Sequence, residues 1–324
     1  MNTQKISQEE LKDRFKKACS EIDRLYEILN TLHLNEDKQV VLKNSSNPRI
    51  CRFCGKSEPE ACFNKVAHAI SHMVENRYLK SEYECDACNE LFATYESDYA
   101  AYMNLYHTIC QVHGKGGIPK FKNHSRAESK ISIEDSTIKI KLMEGEESLV
   151  IWEEEDKNNN SIRIVGKRTY TPVNVLKALV KMALSIMPES EMENFTVTKE
   201  WLQNQKAVGC VFDIHLRIYR MPLPFTSCIL LKKKVNCPQP GPSFQFVLAY
   251  KNFVLQVPLP FVKTDESLRD KGYTLTLFPT PLDEFQLPFA QAKVKLSSSE
   301  KIRGEKVELG LTYESMEEIL GAGI

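Results

Sequence analysis

Apolar positions at the start of the chain return in alternating steps of four and three: Leu11, Phe15, Ala18, Ile22, Leu25, Leu29 and Leu32. Such a heptad-like seam predicts an amphipathic helix over 1–34. Ser7 and Glu10 have the spacing of a capping box at its start. Two things could cover the seam, the rest of the chain or a second copy in a short coiled coil. About three heptads is near the lower limit for pairing, so a homodimer would need further contacts. Residues 35–48 end in Asn44, Ser45, Ser46, Asn47 and Pro48, turn formers that read as a linker. A cysteine-rich unit follows over 49–113, closing in a second helix from Glu90 to about Cys110, rich in Tyr, Ala and Leu. Gly114, Gly116, Gly117 and nearby lysines make 114–130 a hinge.

Beyond 130 the period drops to two. Strands are predicted over 136–143, 148–152, from 161 onward, and over 208–220, 226–235, 243–257 and 273–278. One helix interrupts them, with Thr171 as N-cap, Pro172 at its first position and Pro188 at its end. Val173, Leu176, Leu179, Val180, Ala183 and Met187 line its apolar face. The fold class is α+β: an N-terminal helix, a cysteine-rich finger, and a C-terminal mixed domain over 131–324 with a largely antiparallel sheet. No internal repeat is visible.

Composition narrows the function classes. The 324 residues are 42% hydrophobic and 27% charged, ordinary for a globular chain able to build its own core. Basic and acidic residues balance at 43 each, so any attraction to nucleic acid must come from local patches. No stretch has the length of a membrane span or the look of a signal peptide, so a cytoplasmic protein without a membrane partner is expected. In a reducing compartment, ten cysteines argue for metal over disulfides.

Four of those cysteines form the pairs Cys51-Arg-Phe-Cys54 and Cys85-Asp-Ala-Cys88, 30 residues apart. Each pair sets two thiolates on one tight turn. Four thiolates around Zn²⁺ close a tetrahedral, structural site. Gly55 stands where such a knuckle needs positive φ. Neither pair sits at the strand-to-helix junction that thioredoxin-like chemistry needs.

The residues between and after the pairs carry a more specific likeness. Ala67-His68-Ala69-Ile70, then Asn76, then Glu84-Cys85-Asp86-Ala87-Cys88-Asn89 resemble the HNH endonuclease family. The branch is that of prokaryotic stand-alone HNH proteins, whose ββα-metal finger is stapled by paired cysteines. The likeness covers about residues 50–105, and the stretch from Thr169 to Pro188 looks like the companion domain of those proteins. It implies a phosphodiesterase leaving a 5′-phosphate and a 3′-hydroxyl, acting on DNA more than RNA, in restriction or anti-phage defence. His68 would be the general base, Asn76 would hold the finger and orient His68, and Asn89 would ligate one catalytic Mg²⁺ or Mn²⁺, with His72 as a further ligand. Three positions depart from the family pattern. Ala67 replaces a liganding residue, Ser71 the usual proline and Glu75 the usual glycine.

Each of these residues has an ordinary alternative. Asn89 could be an N-cap, Asn76 a turn residue, and His68 or His72 a packed side chain. Glu96 and Asp98 on the second helix are either outer support for the site or a solvated face. Arg52, Arg77, Lys115, Lys120 and Lys122 are the candidate nucleic-acid contacts. Lys167-Arg168 and Lys232-Lys233-Lys234 are further basic runs, and a solvated hinge is the alternative for the lysines after Gly114. Two other functions stay open: an inactive zinc module that binds nucleic acid or protein, and a nuclease gated by a sensing C-terminal domain.

Overall fold

A computed structural model describes residues 8–34, 39–122, 129–134, 137–141, 150–152, 160–237, 239–268, 273–284, 290–313 and 315. Ser7 of the capping box lies outside them. The fold is mixed α+β, with four α-helices among the described residues and largely antiparallel sheets. Two compact units cut across the boundaries read from sequence: Met1–Ala100 with Thr171–Lys301, and Ala101–Tyr170 with Ile302–Ile324. The segment expected as one C-terminal domain is divided between them. Most of it shares a unit with the cysteine-rich segment.

The first unit is built on a six-stranded antiparallel sheet in the order β1-β11-β12-β13-β10-β14. Helix α1 (Gln8–Leu25) ends sooner than the seam predicts, and Tyr26–His33 is strand β1. Leu29 and Leu32 therefore lie in a strand paired against β11 (Ser227–Lys233), Leu32 opposite Cys228 and Leu29 at the bulge between Ile28 and Asn30, because strand pairing wins over a weak helical period. Ile22, Leu25 and Tyr26 pack into one core with Tyr219, Leu231, Val247 and Val254. Ile22 and Leu25 of the seam thus pack on the helix's own chain, and the helical part of the seam ends at Leu25.

The stretch 243–257 is a hairpin of β12 (Phe244–Tyr250) and β13 (Phe253–Pro258), turning at Lys251 with φ of 45°. Every residue of both strands is buried, including Gln245 and Gln256, whose side chains bond each other at 2.6 Å. β10 (Ile214–Ile218) and β14 (Ala290–Val294) complete the sheet. The expected strand at 273–278 is irregular chain. Gln256 holds it, donating to the Thr276 carbonyl and accepting from Phe278 N–H, both at 2.8 Å.

A smaller sheet orders β2-β4-β3. β2 (Val40–Leu42) runs parallel to β4 (Leu79–Ser81), and β3 (Ala67–His68) runs antiparallel to it. β2 falls within the expected linker. Helix α2 (Asp86–Ile109) starts within the second cysteine pair, and α3 (Pro172–Ser185) is buried on nearly every side. Thr171 precedes α3 without a side-chain cap, and Asp98 accepts its N–H at 3.1 Å instead. A short helix the sequence did not announce, α4 (Thr196–Leu202), comes after it.

The second unit holds two three-stranded sheets. One orders β15 (Ile302–Thr312), β9 (Ser161–Tyr170) and β8 (Val150–Trp152); the other orders β5 (Phe121–Lys122), β6 (Lys130–Glu134) and β7 (Thr137–Lys141). Leu105, Phe121, Ile131, Ile164 and Val307 form its core. Gly166 is required there, since a Cβ would lie 2.2 Å from the Phe121 ring. The expected hinge contains a closed turn in which Gly114 and Gly117 exchange N–H···O bonds of 3.0 and 3.2 Å. Arg168 is not a free basic residue. Its guanidinium lies 4.0 Å from the Tyr102 ring centroid and 2.5 Å from a Glu305 carboxylate oxygen.

Candidate metal centre and the histidine beside it

The first cysteine pair sits on a closed knuckle. Cys51 N–H donates to the Lys56 carbonyl at 2.8 Å, and Gly55 N–H donates to the Cys51 carbonyl at 2.9 Å. Gly55 has φ of 72°, the left-handed value that makes glycine the natural residue there. The second pair meets the start of α2. Cys85 precedes the helix and Cys88 lies in its first turn, where the helix dipole favours thiolate charge.

All four sulfurs lie within 4.8 Å of one another. Cys51 Sγ is 3.7 Å from Cys88 Sγ, and Cys54 Sγ is 3.8 Å from Cys85 Sγ. Sulfurs about 2.3 Å from a tetrahedral zinc would sit about 3.8 Å apart, so the cluster has the size of a Zn–S₄ cage. The electrostatics agree. Cys51 is pushed down to about 5, first by its hydrogen-bond contact with Cys88 and also by backbone N–H groups. Burial pushes Cys85 up to about 11, and Cys88 rises through its contact with Cys51 and through burial. Sulfurs this close cannot all ionise unless a cation replaces their protons. Gln203, just past α4, donates to Cys88 Sγ at 3.4 Å. Sequence reading missed it, because nothing in its neighbourhood marks a metal site.

His68 is the last residue of β3, half-buried, and pairs with Lys80 of β4. The chain then enters a 3-10 turn at His72–Val74, which brings the His72 ring to 3.9 Å from the His68 ring, centroid to centroid. His72 thus lies beside His68 through a turn. Asn76 is fully buried. Its amide donates to the Ile70 carbonyl and, at 3.0 Å, to the Leu79 carbonyl, while its oxygen accepts Leu79 N–H at 2.9 Å. Asn76 therefore locks β4 to the chain two residues past His68. Asn89 is half-buried in the first turn of α2, directly after Cys88. Ala67 is 1% exposed and brings no donor.

Two of the departures from the family pattern sit in telling conformations. Ser71 has φ of −60° and ψ of 145°, which a proline also adopts, and its hydroxyl donates to Glu96 at 2.7 Å. Glu75 has φ of 65°, the left-handed region that favours glycine, and an ion pair of 3.2 Å with Lys251.

Beneath this hairpin lies a buried charge cluster. Lys181 of α3 sits 3.0 Å from Glu84 and 4.0 Å from Glu96, and it donates to the His68 carbonyl at 2.8 Å. Burial pushes the Glu84 carboxyl up, against the pull of Lys181. Lys177, one turn earlier, is pushed down to about 8 by burial and donates to Asn204 at 2.7 Å. Lysines four residues apart on an otherwise apolar helix were the overlooked signal.

The basic candidates separate. Arg52 is a correction: its side chain is 4% exposed, and it donates to the carbonyls of Leu184, Ser185 and Met187 at the end of α3. Its guanidinium also stacks 3.8 Å from the Tyr83 ring centroid, so it caps a helix and has no face for phosphate. Arg77 is exposed in the turn before β4. Lys115, Lys120 and Lys122 are exposed in the second unit. In the first unit, Lys232 pairs with Glu191 at 2.6 Å. No helix among the described residues is long and apolar enough to cross a membrane. Comparisons with protein-family models, curated proteins and solved structures give no match to this chain.

Proposed function

We propose that the chain is an HNH-type endonuclease whose zinc-stapled finger spans β3, β4 and the start of α2. The observation that carries this is the position of His68. It ends the first strand of a short hairpin, is half-buried rather than sealed in the core, and the second strand leads into the cysteine-bearing helix. The backbone at Ser71 and Glu75 adds support, because each adopts the conformation of the family residue it replaces.

In this reading the four cysteines hold zinc away from the chemistry. His68 takes the proton of the attacking water, which an imidazole can do near neutral pH. Asn76 keeps β4 and the segment after His68 in register. One Mg²⁺ or Mn²⁺, when bound, would neutralise charge on the phosphate and the departing oxygen, with Asn89 and His72 the side chains that would hold it. Ala67 leaves that ion fewer protein donors, so its affinity would be weak until substrate completes the shell. DNA is the favoured substrate, with Arg77 the exposed cation on the finger itself. A role in restriction or anti-phage defence follows from the family likeness.

The test is nicking of supercoiled plasmid with Mg²⁺ or Mn²⁺, beside His68→Ala at equal zinc content. Cutting by the wild type and its loss in the variant is the expected result. Equal plasmid binding without cutting by either protein would replace the enzyme with a zinc-containing binding module.

A further inference from the structure

β3 is two residues long, and its ladder to β4 consists of the pairs Ala67–Ser81 and His68–Lys80. So short a ladder holds a main chain loosely, whereas general-base catalysis needs the imidazole fixed within a fraction of an ångström. A second support for His68 therefore matters, and one comes from more than a hundred residues away.

We propose that Lys181 is a positioning residue for His68. Its side chain is 2% exposed, and its ammonium donates to the His68 carbonyl at 2.8 Å. Glu84 is its counter-charge, with a side chain 0% exposed and a carboxylate oxygen 3.0 Å away. That approach is a buried ion pair, and the amine is shared between the Glu84 carboxylate and the His68 carbonyl. Glu96, at 4.0 Å, adds a second carboxylate and takes the Ser71 hydroxyl, tying the turn after His68 to the same cluster. The buried cation thus bridges Glu84 and the residue that carries the imidazole. Glu84 adjoins Cys85, so the cluster also joins the metal knuckle to the end of β3. Burying a lysine in an otherwise apolar helix is costly, and this arrangement gives the burial a use beyond packing.

The catalytic part of this inference rests on the nuclease reading; the positioning part does not. The double variant Lys181→Met, Glu84→Gln removes the directed bond without leaving Glu84 charged and unpaired, and Glu84→Gln alone keeps the bond. Plasmid nicking by Glu84→Gln should fall much less than in the double variant, because the donor remains and Glu96 at 4.0 Å still balances its charge. In the double variant kcat should fall about 100-fold, the cost of a misplaced catalytic group, while KM and zinc content hold. The His68 imidazole signals, assigned by NMR against His68→Ala, should shift or broaden in the double variant and much less in Glu84→Gln. Wild-type kcat and unmoved imidazole signals in the double variant would overturn the proposal. If the wild type cuts nothing, the nuclease reading fails alone and the imidazole signals decide the positioning claim. Should the double variant lose zinc, Lys181→Arg keeps the charge, moves the donor and decides by the same two measurements.

Discussion

The cysteine-rich segment and the β12–β13 hairpin belong to the same compact unit but are held in opposite ways. In β12 and β13 every residue is buried, and support is spread over a continuous apolar sheet. Between Cys51 and Asn89 the strands are two and three residues long. Buried apolar residues such as Phe53, Ile70, Val74 and Leu79 are joined there by a few directed contacts: four sulfurs, the Asn76 amide and the Lys181 ammonium. The first arrangement tolerates local damage and presents little chemistry. The second puts polar side chains near solvent, and it depends on each contact.

The largest expected effect is metal removal. Structural zinc contributes on the order of 10 kcal/mol in isolated zinc modules. A strong chelator should therefore abolish hydrogen-exchange protection from Cys51 through the first turn of α2, while β12 and β13 keep theirs. Equal loss in both regions would erase the contrast. Next in size is Phe246→Ala, at a fully buried position in β12. It should cost about 3–5 kcal/mol in denaturant unfolding and leave the zinc stoichiometry unchanged.

Asn76→Ala strands buried backbone groups of Leu79 and Ile70. About 2–3 kcal/mol should be lost, with exchange at Leu79 accelerating before any change in β13. The smallest effect concerns neither region. His107, in the second unit, is held down to about 3 by full burial. A folded-state value below the ordinary 6.5 means that the unfolded chain binds the proton first. Its stabilising contribution is complete above about pH 6.5 and declines as pH falls toward 3, by about 2 kcal/mol at pH 5. Comparing thermal unfolding of wild type and His107→Leu at pH 7 and pH 5 should show the wild type losing more, and equal losses would exclude His107 as the cause.

Much of the site could be read from sequence because its signals are local. Two tight cysteine pairs and Gly55 announce a knuckle whatever surrounds them. The order His68, Asn76, Asn89 suggests itself through resemblance to the HNH family, and its chemistry belongs to the proposal. What could not be read is long-range. Leu29 and Leu32 continue a helical period, and only the pairing of β1 as a whole with β11 makes the stretch a strand. Arg52 looks like a phosphate contact until α3 presents its carbonyls to it. Gln203 and Lys181 lie more than a hundred residues from the groups they support, so no local pattern could assign them.

The most direct test of the contrast is zinc K-edge X-ray absorption on the purified protein. One zinc per chain with four sulfur neighbours at about 2.3 Å is the result this account predicts. A protein that is folded over Cys51–Asn89 without zinc, or whose zinc is bound mainly by oxygen and nitrogen, would contradict it.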